Sequence, residues 1–465
     1  MILPPVAFPA RVETLVIGAG ACGMTAALAL REAGREVLAL ERDSVPSGST
    51  ALSAGLIPAA DTRWQRAEGI ADSPALFAAD IQAKAQGENA PDLVAALAEG
   101  AAPALEWLAD RHGLGFSLVT DFDYPGHSRR RMHGLPSRSG RELVDALRAA
   151  CERAGADILC GATVTALHAD EDARVHGVRI ARPDGSEESL GCDRLILACN
   201  GFGANRERVA RHMPEIAGAI YFGHPGNRGE ALDWGEALGA ATRHLGAFQG
   251  HGNVAHPHGI LISWAVITEG GFQVDRSGRR FWDESQGYSE AARAVLARPG
   301  GEAVAVFDDR IAAVARQFAD FRQAEAAGAV RRADTAEALA EALSLPPAAL
   351  AETFVEVEAA RAGAAPDRFG RPFAGRPPLR PPYCGVRVTG ALFHTQGGLL
   401  TDPEGRVLRP DGTPLPNLRA AGGAACGVSG SGDAGYLSGN GLLAAVVLGR
   451  AAGLSVANSF PGNDR

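Results

Sequence analysis

The segment at residues 15–41 constrains the fold of this chain more than any other. A short apolar run leads into the pattern Gly18-x-Gly20-x-x-Gly23, then an alanine- and leucine-rich stretch, then a second apolar run that ends at Glu41. This succession predicts a strand, a tight turn, a helix and a parallel strand. Gly18 would allow the sharp turn, Gly20 the approach of backbone N–H groups to a pyrophosphate, and Gly23 the packing of helix on strand.

Glu41 supports a nucleotide-binding interpretation of this unit. It follows Gly18 by 23 positions, where an acidic side chain can accept hydrogen bonds from a ribose 2′-OH. The acid favours an unphosphorylated ribose over that of NADP. The motif therefore predicts dinucleotide binding, although it does not separate NAD from FAD, and a βαβ unit that binds nothing is the plain alternative.

Composition sets broad limits on class and location. The 465 residues are enough for two or three domains, with 46% hydrophobic and 21% charged side chains, as in soluble globular proteins. A net charge of −9 argues against a nucleic-acid or anionic-membrane surface. The seven cysteines have no CxxC spacing, so neither an iron–sulfur cluster nor a c-type haem is predicted. Without a signal peptide or an apolar run long enough for a membrane span, a cytoplasmic protein is expected.

Small and hydroxyl-bearing residues dominate the segment at 42–60, which suits a loop that lies along a cofactor. Together with the first motif, this segment resembles the flavoprotein-subunit family of fumarate reductases and succinate dehydrogenases, which includes the FAD-dependent 3-ketosteroid dehydrogenases. The resemblance implies that the loop passes along the FAD pyrophosphate and the flavin ring. Membrane-bound members attach FAD through a histidine of this loop, whereas Gly48-Ser49-Thr50 contains none, which implies non-covalent FAD.

Three later segments extend the resemblance over nearly the whole chain. Residues 198–203, ACNGFG, resemble the family's ATGGFG element beside the adenosine, with Cys199-Asn200 replacing Thr-Gly. Residues 392–399, LFHTQGGL, resemble its HTMGG turn, in which the histidine hydrogen-bonds the substrate, and this implies a site role for His394. Residues 424–440 lead into a predicted helix from Gly441, whose positive N-terminus would point at the flavin's pyrimidine edge.

The fold that follows is α/β: a Rossmann-like FAD-binding domain (GR2-type flavoprotein) with an inserted α+β capping domain. We expect the FAD-binding domain at residues 1–244 and 373–465, and the cap at 245–372 with three helical segments between 291 and 363. The residues predicted to contact FAD are Gly18, Gly20, Ala21, Cys22, Gly23, Glu41, Arg42, Gly48, Ser49, Thr50, Ser53, Ala54, Gly55, Val164, Cys199, Asn200, Gly201, Gly398, Gly423, Asn440, Gly441 and Leu442.

Two departures from the family pattern bear on the substrate. Fumarate reductases use an arginine proton donor in a cap segment of the type RFxNExxxR and a substrate-binding arginine in NRLGGN. Tyr288 and Tyr436 stand at the matching positions here, which argues against a simple dicarboxylate. The 3-ketosteroid dehydrogenases resemble this arrangement, with a cap tyrosine and a tyrosine of the type YPGG, although His394 does not belong to their pattern.

The chemistry of these side chains fits desaturation next to a carbonyl. That reaction needs a polariser for the carbonyl oxygen, a base for the α-hydrogen, and a flavin N5 that takes the hydride from the β-carbon. Tyrosine can serve as polariser, and as base if a neighbouring tyrosine or a helix N-terminus lowers its pKa. We therefore expect Tyr288 to exchange the proton, and Tyr436 and His394 to orient the carbonyl, in dehydrogenation or the reverse ene reduction.

Alternatives remain open at this stage. Either tyrosine can be an ordinary packing residue, and a fumarate-reductase-like enzyme remains possible if Arg387 or Arg138 holds a substrate carboxylate. A flavin-binding electron-transfer or assembly protein without turnover is a third reading. His251, His256 and His258 have no nearby acidic or cysteine ligand in sequence, so they are interpreted as a polar loop rather than a metal site. A small-molecule substrate and a separate electron acceptor or donor are the expected partners.

Overall fold

The computed structural model of the chain describes residues 1–121, 123–373 and 375–460. The predicted second part of the FAD-binding domain, 373–465, therefore includes positions outside the described residues, as does the first part at residue 122. The strands are β1 (Ile2–Leu3), β2 (Arg11–Ile17), β3 (Val37–Leu40), β4 (Ile57–Pro58), β5 (Ser117–Leu118), β6 (Met132–Gly134), β7 (Asp157–Leu159), β8 (Thr163–Ala169), β9 (Val175–Ala181), β10 (Glu187–Leu197), β11 (Ile220–Tyr221), β12 (Thr242–Arg243), β13 (Phe248–Ala255), β14 (Ile260–Leu261), β15 (Phe272–Val274), β16 (Glu302–Asp308), β17 (Val330–Ala333), β18 (Tyr383–Thr395), β19 (Gly398–Leu399), β20 (Arg406–Leu408) and β21 (Pro414–Ala420).

The helices lie between these strands and after them. They are α1 (Ala21–Glu32), α2 (Gly48–Ala51), α3 (Arg63–Ala67), α4 (Pro74–Lys84), α5 (Pro91–His112), α6 (Gly140–Ala154), α7 (Arg206–His212), α8 (Glu230–Ala237), α9 (Ala265–Thr268), α10 (Tyr288–Leu296), α11 (Asp309–Ala315), α12 (Ala319–Ala326), α13 (Ala336–Leu343), α14 (Pro347–Arg361), α15 (Asn440–Leu443) and α16 (Gly449–Asn458). A π-helical turn, Ala444–Leu448, joins α15 to α16.

The first sheet contains the predicted nucleotide-binding unit. Its order is β1-β8-β9-β10-β2-β3-β7, and β21 pairs with the end of β10 and with β20. The central pairs β10–β2, β2–β3 and β3–β7 are parallel, as predicted for β2 and β3. Parallel strands present their carboxyl ends at one edge of a sheet, which is where ligands bind in open α/β folds.

The second sheet is built around β18, with the order β14-β13-β18-β16-β15 and with β11 and β17 also paired to β18. It supports a separate hydrophobic cluster, in which Phe272, Phe307 and Val386 are fully buried. β18 runs antiparallel to β13, and two register irregularities interrupt this pairing. His394 lies near the end of β18, so this sheet positions it.

The segment predicted to hold three helices is more complex than expected. Within the described residues 291–363, parts or all of α10 to α14 are present, together with the strands β16 and β17. The apolar run at 303–307 forms most of β16 and is almost entirely buried. A short apolar run does not distinguish a buried strand from a buried helix by periodicity, and this is why the sequence interpretation missed it.

One C-terminal stretch, Asn440–Asn458, is long and apolar enough to cross a membrane by length and composition, with 61% of its window buried inside the protein. α16 packs directly on α1, and a Cβ at Gly453 would lie 2.6 Å from the Ala26 carbonyl oxygen. The burial and the packing on α1 therefore identify this stretch as part of the core.

Candidate active site

The turn between β2 and α1 has the geometry that its glycines require. Gly18 has a φ of +103°, and a Cβ there would lie 2.6 Å from the Ala198 carbonyl oxygen at the end of β10. A Cβ on Gly23 would lie 1.8 Å from the Gly18 carbonyl oxygen. Neither position can hold a side chain without displacing backbone, so the turn stays open at Gly20 and at the N-terminus of α1.

Glu41 lies at the end of β3, beside this turn. One of its carboxylate oxygens accepts a hydrogen bond from the Ala19 N–H at 2.9 Å and the other from the Asp43 N–H at 3.0 Å. Each oxygen retains a second lone pair. Glu41 therefore stabilises the turn and still lines the adjoining cavity with acceptor capacity for a ribose.

The hydroxyl-rich segment after β3 is attached to α1 by a side chain. Thr50 accepts a hydrogen bond from the Ala21 N–H at 3.1 Å, and Ser49 accepts one from the Asn227 amide at 2.8 Å. Residues Gly48–Ala51 form the short helix α2 rather than an irregular loop. These contacts hold the segment along the cavity, where it was predicted to lie.

The departure at Cys199-Asn200 is structurally compatible with the family pattern. Asn200 has a φ of +66°, and its Oδ1 accepts a hydrogen bond from the Gly201 N–H at 2.8 Å. Asparagine tolerates this left-handed conformation better than other non-glycine residues because its side chain bonds locally. Burial raises the pKa of the Cys199 thiol to about 12, so it is a neutral group in the wall.

These elements enclose a cavity of about 570 Å³, within the range of cofactor and ligand sites. Glu41, Arg42 and Val164 line this cavity, and so do Tyr436 and His394. The predicted cofactor residues that line it are Gly18, Gly20, Ala21, Cys22, Glu41, Arg42, Gly48, Ser49, Thr50, Ser53, Ala54, Gly55, Val164, Cys199, Asn200, Gly423, Gly441 and Leu442. Gly23, Gly201, Gly398 and Asn440 do not line it.

The cavity fits an extended dinucleotide. In its lining the Glu41 carboxylate, the glycine turn and the start of α1 adjoin one another, since Glu41 accepts a hydrogen bond from the Ala19 N–H and α1 begins at Ala21. An acid, a tight glycine turn and a helix N-terminus are the groups that bind a ribose and a pyrophosphate. The four predicted residues outside the lining pack beneath it: a Cβ at Gly201 would lie 2.0 Å from Thr395 Oγ1, and one at Gly398 would lie 2.6 Å from the Ala425 backbone.

The three predicted catalytic side chains lie together in the lining of the cavity. The ring centroids of Tyr288 and Tyr436 are 6.1 Å apart, and those of His394 and Tyr436 are 5.5 Å apart. Tyr288 begins α10, Tyr436 precedes α15, and His394 lies on β18. Residues that are far apart in sequence are therefore brought together, although their roles remain a prediction.

The ionisation expected of the tyrosines is wrong in direction. Burial raises the pKa of Tyr288 well above its ordinary value, and the neighbouring Tyr436 adds to the shift. Burial also raises the pKa of Tyr436 to about 12, against a smaller opposite effect of the Gly441 and Gly439 N–H groups. A hydrogen bond from Tyr288 also lowers the pKa of Tyr436, but desolvation outweighs these effects, so both tyrosines are neutral donors near neutral pH.

The sequence interpretation missed His251. It is 5% exposed, lines the cavity and stacks between Tyr288, at 5.0 Å, and Phe393, at 5.3 Å. Burial lowers the pKa of His251 to about 3. His256, by contrast, pairs with Glu302 at 3.0 Å, so the supposed polar loop is divided between cavity and surface. His251 lies on the buried strand β13. Recognition of a buried strand in this part of the sequence would have indicated that the histidine lies inside the protein.

Other missed residues complete an aromatic wall. Phe222 stacks on Phe393 with centroids 4.9 Å apart, and Trp264 meets the edge of His251 at 5.9 Å. Gln249 lines the same cavity. The aromatic rings next to the two tyrosines are uncharged and largely apolar, which suits a planar neutral group.

The two arginines considered as carboxylate ligands differ in position. Arg138 lines the main cavity, where it pairs with Asp121 at 2.7 Å and donates to Gln317 at 3.0 Å. Arg387 lines a second, smaller cavity and pairs with Glu302 at 3.2 Å. Only Arg138, of these two, is placed where a ligand of the main cavity can reach it.

Comparison with known proteins identifies related chains. Residues 13–442 match the family described as FAD binding domain. NADH:fumarate oxidoreductase of Klebsiella pneumoniae is 29% identical over 98% of this chain, which spans only 48% of that relative. A probable fumarate reductase of Shewanella frigidimarina is 30% identical over 95% of this chain and 74% of its own length.

Solved structures show the same fold. A flavocytochrome c3 fumarate reductase in an open conformation matches with a TM-score of 0.81 and 28% identity, covering 97% of this chain and 79% of that one. The 3-ketosteroid-Δ4-(5α)-dehydrogenase of Rhodococcus jostii RHA1 matches with a TM-score of 0.76 and 24% identity, covering 97% and 98%. The predicted α/β flavoprotein fold and the predicted family resemblance are confirmed.

Proposed function

Because this chain belongs to the FAD binding domain family, we propose that it catalyses the FAD-dependent reduction of an activated C=C bond beside a carbonyl group, or the reverse α,β-dehydrogenation. FAD, rather than NAD, is the cofactor held by the glycine turn and its neighbours. The absence of histidine from Gly48-Ser49-Thr50 supports non-covalent binding. The residue range 245–372 is proposed to cap the flavin end of the cavity.

One observation carries this proposal: Tyr288, Tyr436 and His394 lie together in the lining of the cavity, inside a wall of aromatic rings. Fumarate-reductase relatives resemble the chain over most of its length, but both arginines of their pattern are tyrosines here. Neutral hydroxyls and a neutral imidazole are better suited to binding a carbonyl oxygen than to binding a carboxylate, which prefers a charged partner. The substrate class is therefore a planar, mostly apolar ketone, such as a cyclic enone.

Each side chain has a role that its protonation state supports. Bound FAD would supply the redox chemistry: its reduced form would deliver a hydride to the β-carbon, and its oxidised form would accept one from it. Tyr436 and His394 donate hydrogen bonds to the carbonyl oxygen, where negative charge develops. Tyr288 exchanges a proton with the α-carbon. Since burial raises the pKa of Tyr288 well above its ordinary value, its resting form is an acid, and this favours the reductive direction.

A second candidate function is the reduction of an unsaturated carboxylate. Arg138 favours it, because this guanidinium lines the main cavity and the named relatives include fumarate reductases. Its ion pair with Asp121 would first have to open. A flavin-binding electron-transfer or assembly protein without turnover is the third candidate. In each case a separate electron partner is proposed, and a cytoplasmic location stays a prediction.

Anaerobic reoxidation distinguishes the candidates. The purified holoprotein is photoreduced, and cyclohex-2-enone or fumarate is added while the flavin absorbance is followed. We expect rapid reoxidation by the enone and little by fumarate. Reoxidation by fumarate that disappears in Arg138→Gln but not in Arg129→Gln, an exposed arginine outside the cavity lining, would establish the second candidate instead.

Two further outcomes test the remaining statements. In one outcome, the protein binds FAD and is reduced reversibly, yet reacts with neither acceptor and with no member of a panel of cyclic ketones in the oxidative direction. This result would support the third candidate, a flavin-binding protein that catalyses no reaction. Acid precipitation tests the mode of attachment: non-covalent FAD passes into the yellow supernatant, whereas a yellow pellet would contradict this part of the proposal.

A further inference from the structure

A chain of buried polar side chains extends from His394 into the protein. Gln396 Nε2 lies 2.8 Å from His394 Nδ1, and Ser429 Oγ lies 2.7 Å from Gln396 Oε1. Asn440 Nδ2 donates to Ser429 Oγ at 3.2 Å. Gln396, Ser429 and Asn440 are 7%, 1% and 0% exposed. These three residues are called the His394 relay below.

The relay has a direction. Because Asn440 donates to the Ser429 oxygen, the Ser429 hydroxyl proton is directed to Gln396 Oε1, and this turns the Gln396 NH₂ group towards His394. A donor that faces Nδ1 requires this nitrogen to be unprotonated. The Thr395 carbonyl oxygen lies near the same nitrogen at the longer distance of 3.4 Å, so the shorter contact with Gln396 favours a neutral imidazole with its proton on Nε2.

The other edge of the imidazole faces the helix start at the cavity. A Cβ on Gly441 would lie 2.9 Å from His394 Nε2, and both residues line the cavity. A proton on Nε2 thus makes His394 a donor towards a ligand, whereas the opposite tautomer would present a lone pair there. Only the tautomer with the proton on Nε2 can donate a hydrogen bond to a carbonyl oxygen at this position.

We propose that Gln396 is a positioning residue, which the buried Ser429–Asn440 pair orients so that His394 is held as its Nε2–H tautomer and donates to the substrate carbonyl. The identity of the acceptor rests on the proposed function, but the tautomer is fixed without substrate. Burial lowers the pKa of His394 to about 4, so the imidazole is neutral near neutral pH and its tautomer decides what it can bind. The relay is prearranged, and so requires no reorganisation when substrate binds.

The tautomer can be measured directly by ¹⁵N NMR. The holoprotein, oxidised and free of substrate, is labelled with ¹⁵N-histidine and observed near pH 7, with His394 assigned from the spectrum of His394→Asn. We expect a pyrrole-type shift for Nε2 and a pyridine-type shift for Nδ1. A pyrrole-type Nδ1 would mean that the Gln396 amide has the opposite orientation, and would overturn the proposal.

Substitutions of Gln396 test whether this residue sets the tautomer of His394. Gln396→Met removes the donor at similar volume, and we expect averaged shifts from a tautomer mixture. Gln396→Glu places an acceptor opposite Nδ1, so the proton should move to Nδ1 and the pKa of His394 should rise. Wild-type shifts in Gln396→Met would show that the relay does not set the tautomer, and would also overturn the proposal.

Ser429→Ala and Ser431→Ala form a matched pair in the same loop. Ser429 anchors the Gln396 amide, whereas Ser431 is exposed and bonds to Glu88. We expect only Ser429→Ala to broaden or shift the His394 signals. If an enone substrate is established, Gln396→Glu should lower kcat/KM by about 10²-fold, as removal of an oxyanion donor does. Failure of the enone assay alone would leave the tautomer result standing and would count against the proposed function only.

Discussion

Tyr288 and Tyr436 illustrate how burial, rather than proximity, decides the chemistry of a side chain. The sequence analysis expected that a neighbouring tyrosine or a helix N-terminus can lower the pKa of a tyrosine enough for it to act as a base. In the cavity both hydroxyls lose solvent, so the pKa of each rises, and that of Tyr436 reaches about 12. The pair is suited to donating hydrogen bonds and protons near neutral pH, and poorly suited to acting as a resting base.

Removal of either hydroxyl tests these roles. We expect Tyr288→Phe to lower the rate of flavin reoxidation by the enone about 10²- to 10⁴-fold, as the loss of a general acid does. Tyr436→Phe should cost about 10²-fold through the lost carbonyl donor. Stopped-flow measurement of reoxidation after photoreduction gives both values, and the visible flavin spectrum shows whether FAD binding is retained.

The matched control is Tyr383→Phe. Tyr383 lies at the start of β18, at the far end of that strand from His394, and packs against Phe354 at 4.7 Å. Its substitution should leave the reoxidation rate within about twofold, since the side chain does not line the main cavity. Equal loss of rate in all three variants would point to a general structural defect and would contradict the proposed roles.

At the scale of elements, the turn between β2 and α1 depends on close backbone packing. The Cβ position of Gly23 is only 1.8 Å from the Gly18 carbonyl oxygen, so even alanine must separate helix from strand. The helix N-terminus and the Gly18 turn would then no longer face the same part of the cavity. The cofactor motif thus depends on a residue that does not itself line the cavity.

Gly23→Ala should therefore be isolated with little or no flavin. The measurement is the ratio of FAD to protein after purification, followed by titration of the apoprotein with FAD. We expect affinity to fall by about 5- to 150-fold if the overpacking cost of roughly 1–3 kcal/mol falls on the state that binds FAD. Gly218→Ala is the control, since a Cβ at Gly218 meets nothing within 4 Å; normal flavin content in Gly23→Ala would refute the packing argument.

At the scale of the whole molecule, contacts of α10 join the proposed cap to the FAD-binding part. Lys84 of α4 pairs with Glu290 of α10 and also donates to the Gln286 carbonyl at 2.9 Å. Arg293 pairs with Asp433 at 3.1 Å. Tyr288 lies on the same helix, so these contacts hold the proposed proton donor over the cavity.

Glu290 should make this junction sensitive to pH. Burial raises the pKa of Glu290 to about 7, against the opposing effect of Lys84, while Asp433 adds to the rise. The ordinary pKa of a glutamate is 4.5. Between this pH and about 7, the folded protein therefore retains a proton on Glu290 that the unfolded chain has released. The contribution to stability is complete below about pH 4.5 and is lost as the pH rises through about 7, with a magnitude of the order of 3 kcal/mol.

Glu290→Gln should flatten this dependence. Thermal unfolding of the holoprotein is followed at intervals between about pH 4.5 and pH 8, and the fall in Tm across that window should be smaller in the variant than in the wild type. Glu99→Gln, at an exposed position of α5, should keep the wild-type slope. An unchanged slope in Glu290→Gln would show that Glu290 does not retain its proton in the folded protein.

The cofactor-binding half of this protein could be predicted from its amino-acid sequence. The evidence for it is local in sequence: the glycine spacing, Glu41 and the apolar runs all lie within one βαβ unit. The backbone angles, side-chain volumes and hydrogen bonds that this unit requires involve only its own residues. The later motifs then indicated the FAD family, the cavity wall from Gly48 to Gly55, and the placing of Tyr288, Tyr436 and His394 together.

The other side chains around Tyr288, Tyr436 and His394 could be identified only from the folded protein. His251 and Phe393 line the cavity because β13 and β18, which are far apart in sequence, pair with each other. The strand β16 was missed because a short apolar run is equally compatible with a helix and a strand. The protonation states of the tyrosines, and the relay behind His394, depend on desolvation and on contacts between residues far apart in the chain. No local pattern encodes those quantities, because they arise only when the fold has excluded water.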